Sequence, residues 1–492
     1  MHSIDLVVIA SYLLGCIALG WWLGSDTKSL NEYFLGERSI PAWAVMISIV
    51  ATETSTATFL SVPGVAYKVD LTYLQLPIGY LFGRVIVAML LLPSYFRGRI
   101  ETAYQVLGHR FGTTTRRTAS LLFLVTRSLS DGLRLFLAAK VLQLIAGSTI
   151  GTAILVMAAA TIVYTYLGGM KAVVWADVLQ FAIYMVGALI ALLLLVGKLP
   201  GGWTELIDRG QDAHKFRMFD FSFDPTRAYT FWAGLIGGMV LNTATHGVDQ
   251  IMVQRYLSAR SQRAAAGALV ASGLVVLIQF ALFLLIGVGL FAFYQVDPPS
   301  GMPLAPDDAF ATFIVGYLPV GVKGLVIAAI FAAAMSTLSG SLNASASAVV
   351  NDLYRPITGC DDERTLLRLS RGLTVAWGAV QAAVAMGATQ LEDSVVNNAL
   401  AIASFATGIL LGLFLLGILT SRVGQRAALV GMVAGISAVS FAKFGTSLAW
   451  PWYALVGSST VFAVGLAASY LRREPVLEPS TPTAASNLDS SA

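Results

Sequence analysis

One acidic residue and a run of small and hydroxyl-bearing residues interrupt an apolar stretch near the start of the chain. The segment ISIVATETSTATFLSVPG carries Glu53 at its middle, between Ala51 and the hydroxyls of Thr54 and Thr58. A lipid-facing helix would not carry a carboxylate there, and a run of β-branched polar residues favours local unwinding. Unwound backbone at membrane depth occurs only where it faces protein or a water-filled cavity. The segment therefore predicts a broken helix at a binding site, or alternatively a buried polar helix in which Glu53 is simply paired.

A second stretch, IAAIFAAAMSTLSGSLNASASAVV, is rich in small and hydroxyl residues. Ala333, Ser336 and Thr337 are spaced i, i+3 and i+4, so they share one helix face. Ser339 and Asn343 continue near that face. Small residues also allow close helix packing in membranes, which explains many of these positions. Hydroxyls together with carbonyls freed by a broken helix would supply the oxygen ligands that a sodium ion needs.

Further charged side chains fall within apolar segments. Asp177 and Gln180 stand one turn apart in YTYLGGMKAVVWADVLQ, where a carboxylate indicates either a functional site or a helix end at the interface. Arg127, Asp131 and Arg134 are spaced i, i+4 and i+7, which places them on one helix face. Arg134 would favour an anionic ligand such as a carboxylate if it is spare. Alternatively, it pairs with Glu53 or Asp131 and serves structure only.

The elements that position these residues are long apolar helices. Of the 492 residues, 57% are hydrophobic and 12% are charged, against about 25% charged in soluble chains. This composition excludes a soluble enzyme, a nucleic-acid binder and a disordered protein. Because a span needs about 20 apolar residues, we predict an all-α integral membrane protein with thirteen spans, numbered helix 0 to helix 12. Their predicted ranges are 4–24, 41–66, 72–95, 119–146, 150–168, 173–197, 229–255, 264–294, 308–350, 370–388, 394–420, 426–444 and 450–471.

The distribution of Lys and Arg predicts the orientation. Nineteen of them, including Arg255, fall in one set of loops and seven in the other, five of these seven in the long loop 198–228. We therefore expect the N-terminus outside, the C-terminus in the cytoplasm, and a bacterial inner membrane. The polar stretch after helix 12 predicts a disordered tail. The four histidines are scattered and no nucleophile motif is evident, so we do not expect an enzyme.

Several separated motifs in the same order resemble the sodium/solute symporter family, which includes sodium–glucose, sodium–proline, sodium–sialic acid and sodium–iodide cotransporters. The resemblance covers nearly the whole chain. It is carried by NEYFLGERSIPAW at 31–43, TAYQVLGHRFG at 102–112, GGMKAVVWADVLQ at 168–180, DQIMVQRYLS at 249–258 and AAAMSTLSGSLNASASAVVNDLY at 332–354.

The resemblance implies the 5+5 inverted-repeat fold of the bacterial leucine transporter. On that basis, helix 0 and a cytoplasmic loop occupy 1–40, and helices 1–5 with a long external loop form the first repeat at 41–228. Helices 6–10 form the second repeat at 229–420. Helices 11 and 12 at 421–473 and a cytoplasmic tail at 474–492 follow.

The resemblance also implies site residues. The main sodium site would use the backbone oxygens of Ala51, Thr54 and Ala333 with the hydroxyls of Ser336 and Thr337. A second sodium, held in some members by a helix 5 aspartate and further helix 8 hydroxyls, would use Asp177 and Ser339. Gly340 replaces a further serine of that second site, which favours a 1:1 stoichiometry. The solute would lie beside the helix 1 break, near side chains that we list as Glu53, Thr58, Gln75, Arg134, Asn242, His246 and Gln279.

Together these features predict a symporter in which inward sodium movement drives uptake of a small polar or anionic organic solute by alternating access. The partners would be sodium, the solute and the bilayer, with no nucleic acid and no obligate protein partner. One alternative is a proton-coupled carrier of the same fold, with Glu53 or Asp177 carrying the proton. Another is a transporter-like membrane sensor, for which the stretch after helix 12 leaves no room for a kinase module.

Overall fold

The computed structural model describes residues 2–24, 27–98, 100–299, 304–390 and 395–471. In these ranges the chain is helical and forms no strand, apart from one isolated bridge between Ile40 and Ala259. The all-α prediction is therefore confirmed for this part of the chain. The predicted tail at 474–492 lies outside the described residues.

Most helices fall where the apolar stretches predict them. Helices 0, 2, 3, 7, 9, 10, 11 and 12 are, in that order, Ser3–Gly24, Thr72–Phe96, Thr113–Ala146, Gln262–Val296, Glu363–Ala388, Val395–Leu419, Gln425–Gly445 and Trp450–Leu471. Helices 4 and 5 form one segment, Ile150–Gly197, that is broken at Gly169, whose φ of 52° suits a glycine. Shorter helices lie between them at Leu30–Leu35, Ala103–Phe111 and Gly202–Asp212.

Helix 1 is broken, as the sequence predicts. It consists of helix 1a, Ala42–Glu53, and helix 1b, Thr56–Lys68, which are bent by 66°. Within the described ranges, seven helices are long and apolar enough to cross a membrane, and the bent pair adds an eighth. The count of thirteen spans and the inverted repeat stay predictions.

Two predicted helices are wrong in their continuity. The predicted helix 8 at 308–350 is two helices, Pro306–Tyr317 and Val322–Ala348, and we keep the name helix 8 for the second. Leu318 is extended because the residue before a proline avoids the helical conformation. The predicted helix 6 at 229–255 ends at Val248 and resumes as Gln250–Ser258.

The second of these breaks has a local cause. Asp249 is extended, and its carboxylate accepts a hydrogen bond of 2.9 Å from the backbone N–H of Ile251. It is therefore the N-cap of a new helix. We call Gly238–Val248 helix 6a and Gln250–Ser258 helix 6b.

Helix 8 lies at the centre of the molecule, and nearly all of its residues are buried. It packs against helix 0, helix 5, helix 3 and helix 9. Helix 1b packs on helix 7, and a side chain at Gly287 would come within 2.0 Å of the carbonyl oxygen of Pro63. This close approach brings helix 7 against the part of helix 1 that follows the break.

Candidate functional site

The break in helix 1 is stabilised by its own hydroxyl residues. Thr54 is extended, with ψ of 99°, and its hydroxyl donates to the carbonyl of Val50 at 2.8 Å. Ser55 is the N-cap of helix 1b, since its side chain accepts from the N–H of Thr58 at 3.3 Å. Such local hydrogen bonds compete with the helical pattern. The hydroxyl run therefore ends one helix and begins the next with hydrogen bonds of its own.

The break faces helix 8. The hydroxyl of Thr337 donates to the carbonyl oxygen of Thr52 at 3.1 Å, and that of Thr56 donates to the carbonyl of Ile330 at 3.1 Å. Among the described residues, no backbone N–H donates to the carbonyls of Ala51, Glu53 or Thr54. Those oxygens are thus available to a ligand at the junction of helix 1 and helix 8.

Helices 5 and 7 hold the break from its other side. The side-chain amide of Gln279 donates to the hydroxyl oxygen of Thr54 at 2.7 Å. Tyr184 donates to Gln279 at 3.1 Å and lies 3.3 Å from the Thr54 hydroxyl. Gln279 is completely buried and does not line the cavity described below. Gln279, a predicted solute ligand, thus bonds to the break in helix 1 instead of facing the cavity.

The neighbouring hydroxyl of helix 8 points elsewhere. Ser336 donates to one oxygen of the Asp177 carboxylate at 2.5 Å. The other oxygen accepts from Ser48 at 2.5 Å and from the guanidinium of Arg255 at 2.9 Å. Gln180 instead donates to the hydroxyl of Tyr12 at 3.2 Å. Ser336 and Thr337 therefore face two different polar centres, although they are adjacent in sequence.

A cavity of about 170 Å³ lies on the other side of the break. Five predicted solute ligands line it: Glu53, Thr58, Arg134, Asn242 and His246. Its apolar wall includes Tyr73, Phe280 and Trp450, which the sequence analysis does not single out. A mostly apolar cavity with a few convergent polar groups is typical of a small-molecule site.

Glu53 is paired on the cavity wall. Its carboxylate forms an ion pair with Arg84 of helix 2 and lies 3.6 Å from Nε2 of His246. Arg84 is fully buried and also donates to Ser272 of helix 7. Glu53 is thus paired, as in the alternative interpretation of the sequence, and its partner is Arg84; Arg134 pairs with Asp131, the other partner considered for it. An arginine in helix 2 is the signal that would have suggested the partner of Glu53.

Arg134 forms its ion pair within its own helix. Its guanidinium lies 3.3 Å from Asp131, which also accepts from Arg127 at 2.7 Å. Arg127 in turn reaches Asp249 of helix 6b at 3.2 Å. The Arg134 side chain keeps 21% of its surface exposed, and it lies on the cavity wall. The carboxylate of Asp131 is therefore shared by Arg127 and Arg134, so Arg134 has donors left for a ligand.

Gln75 is the second predicted solute ligand that lies outside the cavity. Its amide donates to the carbonyls of Thr72 and Tyr229, at 2.9 and 3.2 Å, and its oxygen accepts from the N–H of Asp220 at 3.1 Å. Asp220 also pairs with Arg227 at 2.7 Å. In this loop, burial raises the pKa of Asp220, but hydrogen bonds from Ser222 and then the nearby arginines outweigh it and lower the pKa. Gln75 thus fastens the long loop 198–228 to helix 2.

Long apolar helices, a broken helix and a cavity with convergent polar groups beside the break together define a multi-pass membrane transporter for a small solute. The comparisons identify its family. The model of the sodium:solute symporter family matches residues 33–435, so the chain belongs to the sodium:solute symporter family.

Relatives with known names agree with this assignment. The chain is 31% identical to the human sodium/iodide cotransporter over 458 residues, which cover 90% of this chain and 70% of that protein. It is 30% identical to human sodium-coupled monocarboxylate transporter 1 over 442 residues, which cover 88% of this chain and 72% of that protein. A solved, substrate-bound, outward-open sodium-coupled sialic acid symporter superposes with a TM-score of 0.88. That structure is 28% identical and covers 96% of this chain and 99% of its own.

These findings confirm four predictions from the sequence. The protein is an integral membrane, multi-pass transporter and is not an enzyme. Sodium is its coupling ion, and its cargo is a small solute. The proton-coupled alternative is therefore set aside.

Proposed function

We propose that the protein is a symporter in which inward sodium movement drives uptake of a small polar or anionic organic solute by alternating access. Helices 1 and 6 are both broken, at Thr54–Ser55 and at Asp249. These breaks support the assignment of helices 1–5 and 6–10 as two inverted repeats. The chain would have thirteen spans in a bacterial inner membrane, with the N-terminus outside and the C-terminus inside.

Sodium would bind between the helix 1 break and helix 8. The observation that carries this assignment is the 3.1 Å hydrogen bond from Thr337 to the carbonyl of Thr52. Beside it lie backbone oxygens to which no N–H of the described residues donates. The ligands would be the carbonyls of Ala51, Thr54 and Ala333 and the hydroxyl of Thr337. Ser336, the fifth ligand, would turn from Asp177 or share its hydroxyl oxygen with the ion.

The solute would bind in the cavity on the other side of the break. Arg134 would hold an anionic group, because its guanidinium is only partly used by Asp131. Within the described residues, the buried Oδ1 of Asn242 has no hydrogen-bond partner and Nε2 of His246 has only the Glu53 carboxylate nearby, at 3.6 Å; both residues line the cavity. These atoms would recognise a polar group of the solute. The names of the relatives refer to iodide, monocarboxylates and sialic acid, all anions, which supports this choice.

Coupling would follow from the position of the sodium site. An ion that binds better when helix 1 and helix 8 are bridged would stabilise the conformation that contains the bridge, here proposed as outward-open. At a membrane potential of 100 mV, each inward sodium would contribute about 2.3 kcal/mol from the electrical term alone. Its concentration gradient would add to this driving force.

The test is transport by the purified chain in proteoliposomes. A thermal-shift screen of a solute library, with and without sodium, first identifies compounds that stabilise the protein only in sodium. Their uptake is then measured under a sodium gradient and under a pH gradient. We expect uptake with the sodium gradient and its loss in Thr337→Ala. Uptake that is independent of sodium in both proteins would overturn the proposal.

A further inference from the structure

The end of helix 1b that lies away from the break is capped by a side chain from the long loop 198–228. The ammonium of Lys215 donates to the carbonyl of Tyr67 at 2.8 Å and to that of Val69 at 2.9 Å. The last carbonyls of a helix have no partner within the helix, and a lysine both satisfies them and complements the negative end of the helix dipole. Helix 1b therefore ends on a positive charge that the loop supplies.

The surroundings of Lys215 hold its side chain in this position. The residue is only 5% exposed, and its ammonium lies 4.3 Å from the centre of the Phe291 ring in helix 7. His214, directly before it, has a φ of 54°, and the N–H of Lys215 donates to the carbonyl of Gly210 at 2.7 Å. This left-handed turn directs the lysine inward at the end of the helix Gly202–Asp212. Because a buried ammonium is costly unless it is hydrogen-bonded, its two bonds to helix 1b stabilise the arrangement.

The segment that follows continues the connection towards the solute cavity. We call residues 215–229 the strap. The N–H of Leu71 donates to the carbonyl of Arg217 in the strap at 3.1 Å. At the other end of the strap, the ring of Tyr229 lies 5.2 Å from that of Tyr73, which lines the cavity. The strap thus joins the end of helix 1b to helix 2.

A further contact joins the strap to the start of helix 12. The carbonyl of Pro225 accepts from the N–H of Ala449 at 2.9 Å, and the next residue, Trp450, lines the cavity. The strap therefore contacts three helices that each supply a side chain to the cavity wall, namely Thr58 in helix 1b, Tyr73 in helix 2 and Trp450 in helix 12. Helix 1b can move away from the other two only if its bonds to the strap break.

We propose that Lys215 is a positioning residue of the transport cycle, which closes the external side of the solute cavity by holding helix 1b to the strap. This inference rests on the proposed function, in which loop 198–228 is external and the cavity opens alternately to the two sides. Lys215 lies outside the residues that line the cavity, so it acts through helix 1b and not on the solute. Release of its two bonds lets helix 1b move and opens the cavity to the outside.

The test measures how fast Thr58→Cys, on the cavity wall, reacts with a membrane-impermeant maleimide added outside. It uses spheroplasts that express the full chain with Cys16→Ser and Cys360→Ser, in sodium-free buffer. We expect Lys215→Met to be labelled about 10-fold faster, because loss of a hydrogen bond from a charged group shifts an equilibrium by about that factor or more. Lys215→Arg should stay nearer the wild-type rate, since a guanidinium can still donate to both carbonyls.

Arg209→Met is the matched control. Arg209 lies in the same loop, pairs with Glu205 at 2.7 Å and donates to Gln295 of helix 7 at 2.9 Å. Its loss loosens the loop without removing the cap of helix 1b, so the labelling rate should equal that of the wild type. An unchanged rate in folded Lys215→Met, or the same acceleration in both variants, would overturn the role of Lys215.

The labelling rate reports access to the cavity and is independent of transport. Uptake that does not depend on sodium would contradict the proposed function and leave the labelling result standing. If Lys215→Met does not fold, Leu71→Cys/Arg217→Cys decides the question, because the backbones of these two residues are hydrogen-bonded and a disulfide between them would fix helix 1b to the strap. With the disulfide formed and sodium present, protection of Thr58→Cys supports the inference, and labelling at the rate of the reduced protein contradicts it.

Discussion

The hydroxyl of Thr337 in helix 8 donates a hydrogen bond of 3.1 Å to the carbonyl oxygen of Thr52 in helix 1a. This bond joins the last turn before the break to helix 8, whose residues are nearly all buried. It lies between two centres of different chemistry, the paired acid Asp177 on one side and the solute cavity on the other. We expect a change at the break to affect both.

We expect Thr337→Ala to weaken sodium binding about 10- to 100-fold, because a hydrogen bond or ligand bond to a charged group contributes about 1.5–3 kcal/mol. Thr337→Ser should retain most of the affinity. The sodium concentration that gives half-maximal thermal stabilisation measures the effect. Thr126→Ala is the control, since that residue lines the cavity and its hydroxyl donates to the carbonyl of Leu122 in its own helix. Equal loss in the control would contradict the assignment.

The pairing of Glu53 with Arg84 predicts a stability effect. Glu53→Gln should destabilise the protein by about 3–5 kcal/mol, because it leaves a buried guanidinium without its counter-charge. The double variant Glu53→Gln/Arg84→Met should recover part of that loss. The thermal midpoints of the three proteins, measured without sodium or solute, test this. A double variant less stable than Glu53→Gln would show that Arg84 does not depend on Glu53.

Arg134 should matter for anionic solutes only. We expect Arg134→Met to reduce the affinity for carboxylate hits of the thermal-shift screen about 10- to 100-fold and to leave neutral hits unchanged. Arg134→Lys should lie between them, because lysine keeps the charge without the planar fork. Arg110→Met is the control, since Arg110 bonds the carbonyl of Thr420 outside the cavity. A uniform loss for both solute classes would indicate a structural role.

The ion pair between Arg127 and Asp249 joins helix 3 to helix 6b at the wall of the cavity. Asp249→Asn should weaken this connection and leave the helix cap intact, because asparagine is an equally good N-cap. The probe is Thr126→Cys in a protein whose native cysteines are removed by Cys16→Ser and Cys360→Ser. We expect a membrane-impermeant maleimide added on the cytoplasmic side to label this cysteine faster when Asp249→Asn is also present. An unchanged labelling rate would mean that the ion pair between Arg127 and Asp249 does not close the cytoplasmic side of the cavity.

The positions of the helices could be predicted because they depend on local sequence. A membrane span requires about 20 apolar residues, and that length can be read along the chain. The break in helix 1 was also predictable, since Thr54 and Ser55 satisfy the backbone with their own hydroxyls. The helix end at Leu318 was equally predictable, because the residue before a proline disfavours the helical conformation. The prediction of a continuous helix did not take this into account.

The partners of the polar side chains were decided only by the tertiary structure. Gln75 and Gln279 carry the same amide as any solute ligand, yet the packing of helices 2 and 7 turns one to the outer loop and the other to the break. The sequence analysis places Arg255 in a loop. In the structure it lies in helix 6b, which begins after the break at Asp249, and it pairs with the buried Asp177.

The sequence by itself thus determined the helices, the broken span and the small-residue helix at the centre, because each depends on neighbouring residues. The tertiary structure decided which charges neutralise one another. Asp177 and Glu53 pair with Arg255 and Arg84 across helices, and only the packing of the helices brings these partners within reach. Side-chain pairing across helices depends on crossing and rotation, which the linear pattern does not encode.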